Sequence, residues 1–406
     1  MAIKVLLITQ WFDPEPTFKG MAFARELVRQ GFDVEVLTGF PNYPSGKIYP
    51  GYRLKWLQRE YIDGVKITRV PLYPNHDQSA VKRILNYLSF AVTSLCYGLF
   101  LAKRPDVIYA YHPPLTVGIS AAMIRLFRRI PVVYDIQDMW PDTLRATGML
   151  ANTRVLHLIS GVCDWVYRRV DQIVVLSPGF KRLLIERGVP ENKIEVIYNW
   201  CDESAFAASL ASLPEKRLPA AKFTILFAGN MGKAQALDAV LEAAIRLNKE
   251  CPQINFVLIG GGVDVNRLKQ IVNKNALSNV VFLEAVPMAE VGVVLAEADV
   301  LLVHLKNDPL FTITIPSKTQ AYMAVGKPLL MAVAGDAAEV VLQSGCGYVA
   351  ISENSDSIAD AAIRFFQQDA SERLLMGENG RSFYEKNFSL EVGVRKFGAI
   401  FEKMSG

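Results

Sequence analysis

Short apolar runs alternate with stretches of helical periodicity along nearly the whole chain. That alternation confines it to an α/β architecture built on doubly wound parallel sheets. In the first half the runs are Val5–Thr9, Val34–Leu37, Lys66–Val70, Val107–Ala110, Val132–Asp135, Gln172–Leu176 and Glu195–Ile197. Helical patterns lie between them, near Met21–Gln30, Ala80–Ala102, Thr116–Arg128, Arg154–Arg169 and Gly179–Arg187. The rhythm breaks over residues 199–222, where Asn199, Asp202, Ser212, Pro214 and Pro219 suit neither strand nor helix. It restarts at Phe223–Gly229 and continues through Phe256–Gly260, Val280–Leu283, Val300–Val303, Pro328–Ala332 and Gly347–Ala350.

The expected organisation is two Rossmann-like lobes, 1–198 and 223–387, joined by a linker at 199–222. A last helix, about 388–406, has no strand after it and is expected to join the first lobe. Ligands of such sheets bind outside the carboxyl ends of the strands, so an interlobe cleft is the expected site.

The 406 residues carry 44 Lys+Arg against 40 Asp+Glu, and the net charge of +4 has no basic block of five or six, which excludes a nucleic-acid coat. The distribution says more: residues 1–200 hold 25 basic and 17 acidic side chains (+8), and residues 201–406 hold 19 and 23 (−4). The first lobe is therefore expected to face something anionic. Five scattered cysteines without a CxxC pair fit a reducing compartment, with no disulfide and no structural zinc. The opening Met-Ala-Ile-Lys-Val-Leu-Leu-Ile-Thr reads as a first strand and not a signal peptide, so the expectation is a cytoplasmic protein.

Ile84–Ala102 has no charged residue and is flanked by Lys82-Arg83 and Lys103-Arg104. Its length approaches a membrane span. It also carries Asn86, Ser89, Thr93, Ser94, Tyr97 and Gly98, and runs into the strand Val107–Ala110. A helix covering the sheet is the favoured reading, a helix lying in a membrane interface the second.

Several turns could bind anions. Gly20 follows the loop Asp13–Lys19 at a helix start, where free N–H groups gather. Gly229-Asn230-Met231-Gly232-Lys233 could hold a diphosphate with backbone amides and one cation. Gly260-Gly261-Gly262 offers a second turn, while a GxGxxG dinucleotide fingerprint is missing. Pro316-Ser317-Lys318-Thr319-Gln320 places Ser317, Lys318 and Gln320 at another helix start. In the first lobe, Tyr111 and His112 follow a central strand, and Asp138 and Trp140 follow the next. A carboxylate beside an indole suits a sugar, and an imidazole there can donate to a hydroxyl or orient a phosphate. An ordinary loop histidine, a helix cap and an anchoring aromatic are the plain alternatives.

With these residues placed, the chain resembles family-4 retaining glycosyltransferases of the GT-B fold nearly end to end. The motifs are Gly39-Phe40-Pro41-Asn42-Tyr43-Pro44, Gly51-Tyr52-Arg53, Pro71-Leu72-Tyr73-Pro74, Val175-Leu176-Ser177-Pro178-Gly179-Phe180 and Pro316-Ser317-Lys318. They are most similar to bacterial L-fucosamine or L-fucosyl transferases of O-antigen, lipopolysaccharide and exopolysaccharide (colanic-acid) assembly. The resemblance implies a UDP- or GDP-linked sugar held by Gly20, Gly229, Asn230, Lys233, Gly260, Val286, Ser317, Lys318 and Gln320. It implies an acceptor near Phe18, Tyr111, His112, Asp138 and Trp140, and catalysis by His112, Asp138, Lys233 and Lys318 without metal or other cofactor. Whether His112 or Tyr111 takes the place of the family histidine stays open. Two family glutamates are replaced by Ile313 and Ala321, and a family arginine by Asn230. A non-catalytic nucleotide-sugar-binding protein and a UDP-sugar epimerase of the same fold remain as rival expectations.

The acceptor expected from the resemblance is a polyprenyl-diphosphate-linked saccharide at the cytoplasmic face of the inner membrane. Peripheral binding would then engage Arg53, Lys55, Trp56, Lys82, Arg83, Lys103, Arg104, Arg125, Arg128 and Arg129.

Overall fold

The computed structural model describes residues 2–75, 79–146, 148–206, 217–218 and 223–406. His76 and residues 207–216 and 219–222 of the expected linker lie outside the described residues. The chain divides into two compact units, Met1–Tyr198 with Gly393–Gly406, and Asn199–Val392.

The first unit contains β1 (Lys4–Ile8), β2 (Asp33–Gly39), β3 (Gln58–Ile62), β4 (Val65–Val70), β5 (Val107–Tyr111), β6 (Val132–Ile136), β7 (Gln172–Val175) and β8 (Ile194–Val196). They form one sheet in the order β3-β4-β2-β1-β5-β6-β7-β8. All neighbours are parallel except β3 and β4. That pair is a tight hairpin closed by Asp63 (φ 49°) and Gly64 (φ 83°), the left-handed Asp-Gly turn that matches strand twist. Every residue of β5 and β6 is buried, as helices on both sheet faces require.

The second unit contains β9 (Phe223–Ala228), β10 (Ile254–Ile259), β11 (Val280–Leu283), β12 (Val300–His304), β13 (Leu329–Ala332) and β14 (Gly347–Val349). The order is β11-β10-β9-β12-β13-β14, parallel throughout. Phe227, Leu241, Phe256, Leu302 and Phe365 belong to its core. Residues just after the break in rhythm are anchored here: Tyr384 Oη donates to Glu203 Oε1 (2.7 Å) and accepts from the Cys201 amide (3.2 Å).

Strand order reverses at the β1/β5 boundary in the first unit and at β9/β12 in the second, and the chain diverges there to leave a crevice above the strand ends. The final helix, Leu390–Ser405, completes the first core. Phe397 and Phe401 are fully buried and meet Tyr109 edge-on, with centroids 5.3 and 5.9 Å away. Phe401→Ala is expected to cost about 3–5 kcal/mol, measured by urea denaturation, because the vacated ring leaves a cavity against Phe32 and Tyr109.

Candidate active site

In the second unit, two glycine turns meet backbone to backbone at the strand switch. A Cβ on Gly260 (φ 133°) would stand 2.1 Å from the Gly229 carbonyl oxygen, and one on Gly262 (φ 147°) 2.4 Å from that of Met231. Hydrogen bonds seal the contact: the amide of Gly229 donates to Ile259 (2.9 Å) and that of Met231 to Gly261 (2.7 Å). The Gly232 amide donates to Gln235 Oε1 at 3.0 Å. The amides of Gly229, Met231 and Gly232, expected from sequence to be available for phosphate, are therefore spent inside the protein. What the turn still offers outward are the exposed side chains of Asn230 and Lys233.

The helix Ser317–Val325 is anchored against this turn. Tyr322 Oη accepts from the Ala228 amide (2.9 Å) at the end of β9. The first turn begins after Pro316 with no side chain capping it, and Ser317 is exposed. Lys318 folds back so that Nζ lies 3.5 Å from the Phe227 ring centroid, and 3.5 Å from where a Cβ on Gly229 would be. This buried ammonium has no hydrogen-bond partner. Burial lowers it from its ordinary value near 10.5 to about 7. Gln320, expected to touch the donor, is buried, and its amide nitrogen in the satisfied orientation donates to the carbonyls of Ser317 (3.0 Å) and Pro316 (2.9 Å). It braces the helix start. Val286 is half-buried in the loop between β11 and the helix Met288–Glu297.

His304 was no candidate, yet it sets the Lys233 turn. Its Nδ1 donates to the Gln235 carbonyl (2.7 Å) and its Nε2 accepts from the Glu353 amide (3.2 Å), which fixes one neutral tautomer. Burial lowers its pKa below the ordinary imidazole value, against the raising effect of the Gln235 bond.

In the first unit, Gly20 caps the helix Met21–Arg29, and a Cβ there would stand 2.2 Å from Asp13 Oδ2. That carboxylate takes the Met21 amide at 2.6 Å, so an internal anion already holds part of the helix start. Phe18 is 41% exposed beside it. His112 ends up where the sequence places it, just past β5, but its imidazole is only 2% exposed and lies edge-on to Trp140 at 5.6 Å. Burial drives its pKa down to about 3, so the ring is neutral near pH 7, with Nδ1 unbonded. Tyr111 is buried as well, while Asp138 and Trp140 are half-exposed; burial raises the Asp138 carboxyl.

Beneath them lies a framework of charges that the sequence reading did not select. Lys19 is completely buried over the rings of Phe23 (5.8 Å) and Phe397 (5.2 Å), with Asp135 as the facing charge. Asp135 accepts from Tyr109 Oη (2.5 Å) and Gln137 Nε2 (2.7 Å). Desolvation lowers Lys19 to about 8 and raises Asp135. Glu15, also buried, accepts from the amides of Phe12, Asn42 and Tyr43 and is pushed up to about 7. Arg69, 1% exposed, bonds Glu60 and the carbonyls of Gly39 and Asp13. Only an unusual charge in an otherwise apolar or proline-rich loop could have signalled these residues.

Two doubly wound sheets, each carrying its exposed functional groups at a strand switch, define the GT-B class of glycosyltransferase fold. Residues 21–200 match the Glycosyl transferase 4-like domain and residues 211–383 match Glycosyl transferases group 1, and the chain belongs to this family of glycosyltransferases. The Escherichia coli protein named as colanic acid biosynthesis glycosyl transferase WcaI is 28% identical over 80% of this chain and 82% of its own length. The Pseudomonas aeruginosa glycosyltransferase WbjE is 24% identical over 73% and 74%. Among solved structures, sucrose-phosphate synthase from Thermosynechococcus elongatus superposes with a TM-score of 0.74 at 16% identity, covering 99% of both chains. Anabaena HepE in complex with UDP-glucose gives 0.67 at 15% identity, over 99% of this chain and 100% of that one.

Two outcomes test this geometry. Gly260→Ala should destabilise the second unit by about 2 kcal/mol or more in thermal or urea melts, since the left-handed backbone and the Gly229 carbonyl both oppose a Cβ. Lys318 carries its proton only below about 7 in the folded chain, against 10.5 when unfolded. Its burial therefore costs stability most below pH 7, and the cost fades as pH rises toward 10.5. An anion binding there must take up a proton above pH 7. UDP affinity measured by calorimetry should accordingly fall several-fold from about pH 6.5 to about pH 8.5, and Lys318→Met should flatten that slope.

Proposed function

We propose that this glycosyltransferase moves a sugar, of the L-fucosamine or L-fucosyl type, from a UDP- or GDP-linked donor to a polyprenyl-diphosphate-linked saccharide. The setting is assembly of a bacterial O-antigen, lipopolysaccharide or exopolysaccharide at the cytoplasmic face of the inner membrane. The observation that carries the donor half is the buried Lys318 ammonium, held over the Phe227 ring without a hydrogen-bond partner, beside the uncapped start of Ser317–Val325. A cation held out of water without a partner is costly unless an anion completes it. The solved complex of HepE with UDP-glucose and the name of WcaI support the nucleotide-sugar and polysaccharide parts of this reading.

The proposed chemistry retains the anomeric configuration. The bond between the anomeric carbon and the departing phosphate oxygen breaks, with its electron pair going to that oxygen. The acceptor hydroxyl then bonds to the same face of the oxocarbenium-like sugar, and its proton passes to the departing phosphate. Lys318, Lys233 and the helix amides offset the charge that develops on the diphosphate. A neutral, buried His112 orients and donates; burial keeps it unprotonated near pH 7. The Asp138 carboxylate accepts from sugar hydroxyls, and the Trp140 ring covers a C–H face.

Radiolabelled UDP- and GDP-sugars assayed against short polyprenyl-diphosphate N-acetylhexosamine analogues test the reading. Lys318→Ala is expected to lower kcat by about 100-fold and Lys233→Ala by about 10-fold, each in a variant that keeps a cooperative urea transition. Unchanged rates in both variants would remove the phosphate assignment. Donor binding without turnover on any lipid-linked acceptor would favour a binding protein.

A further inference from the structure

The helix Ala80–Cys96, prolonged by the π-helical turn Tyr97–Leu101, is amphipathic in the wrong sense for water. Its protein-facing side packs Phe90 and Ala91 inward but also carries the polar groups of the helix. Asn86 Nδ2 donates to the Tyr73 carbonyl (2.7 Å) and Oδ1 accepts from Gln10 (2.6 Å). Thr93 donates to the Pro71 carbonyl (2.8 Å), Ser94 and Ser120 share a hydrogen bond (2.9 Å), and Tyr97 donates to Glu35 (2.6 Å). The opposite side exposes Val81 (67%), Leu85 (49%), Leu88 (46%), Val92 (59%) and Phe100 (79%). The spacing of three and four residues, with exposed Cys96 between the last two, makes a single stripe along the axis. A surface helix in water shows the reverse, with its apolar stripe on the core.

Val81–Leu101 is long and apolar enough to cross a membrane by length and composition, and 28% of its apolar window is buried. Of the two sequence readings, the sheet-covering one is met on the inner face only. Spanning conflicts with the sheet: β4 before the helix and β5 after it belong to one layer, joined through β2 and β1 in parallel register. A span would put them on opposite sides of the bilayer.

Charge selects the lipid. No Asp or Glu occurs between Ala80 and Pro105, while Lys82 and Arg83 flank one end of the stripe and Lys103 and Arg104 the other. Arg128 bonds the carbonyls of Gly98 (2.5 Å) and Ala102 (3.0 Å), so this expected membrane cation works as a helix cap. It brings the neighbouring Phe127, 66% exposed, and Arg129 to the same end. Arg125 is likewise committed, in a two-pronged pair with Asp171.

We infer that this stripe lies in the plane of an anionic phospholipid surface, its apolar side chains at the boundary of glycerol and acyl chains and its terminal cations at the phosphates. The inference deepens the lipid-linked acceptor proposed above by naming the surface that meets the membrane, though it stands on the helix alone.

Flotation of the full chain with phosphatidylethanolamine/phosphatidylglycerol vesicles, against pure phosphatidylcholine, is the test. The wild type should float with the anionic vesicles and stay bound at about 0.5 M NaCl, because apolar contact outlasts screening. Leu88→Gln with Val92→Gln should weaken that binding about tenfold or more, with UDP affinity and thermal midpoint unchanged. Equal binding by wild type and variant would overturn the inference, as would a wild type that ignores anionic vesicles. An environment-sensitive fluorophore on Cys96, in a Cys251→Ser background, reads depth. Bromines near the glycerol end should quench it more than bromines at the chain ends, and the opposite order means spanning and overturns the in-plane placement. A stripe-dependent dimer that vesicles do not dissociate would assign the face to a second copy and overturn it too. Vesicle binding retained in a protein that binds no UDP would leave this inference standing and sink only the donor reading.

Discussion

A charge pair sealed from water fixes the working edge of the first unit. Lys19 immediately precedes Gly20, and Asp135 lies near the end of β6. The Asp135 carbonyl takes the His112 amide at 3.0 Å, while its carboxylate takes Tyr109 from the adjacent strand. The loops after β1, β5 and β6 thus converge on one buried site whose loss would strand the partner charge at a cost of about 3–5 kcal/mol. Phe397 of the final helix closes it from water. The second unit is built differently at its strand ends, with glycine backbones so close that a Cβ does not fit between them.

The parallel strands were legible because strands covered on both faces are continuous apolar runs, and the glycine turns because a left-handed backbone selects glycine. The β3–β4 hairpin was missed, since Gln58-Arg59-Glu60-Tyr61-Ile62 lies at a sheet edge and is largely polar, although Asp63-Gly64 was available as a turn signal. Gly229, Asn230, Gly260 and Lys318 come together beside one strand switch of the second unit, whereas Gly20 lies in the first unit and Val286 follows the edge strand β11. What could not be read was how each group is spent. The Gly229, Met231 and Gly232 amides, Gln320 and Arg128 were each expected to look outward and are occupied internally. Spacing shows where a side chain starts, and packing decides where it points.

The same distinction corrects the electrostatic reading. The 25 basic side chains of residues 1–200 include cations already paired inside the protein: Arg69 with Glu60, Arg125 with Asp171 and Arg187 with Asp142; each pair uses up one carboxylate, so the excess of eight rests on other cations. The exposed cations with the greatest bearing on function are those left at the two ends of an acid-free helix. An inner face that mixes Phe90 with bonded polar groups and an outer face that is apolar depart from the usual arrangement, and composition alone does not show which side is which.

The final helix has a consequence for how the protein is made. Its Phe397 and Phe401 supply part of the core around Phe23, Phe32 and Tyr109, all encoded in the first 110 residues. During synthesis the first sheet therefore waits, its pocket for those rings unfilled, until residues nearly 300 positions later leave the ribosome. The second unit contains all of its own strands and can close earlier. The core of the first unit is thus the last to be completed although its strands are translated first, and an unfilled apolar pocket is the kind of surface that favours aggregation.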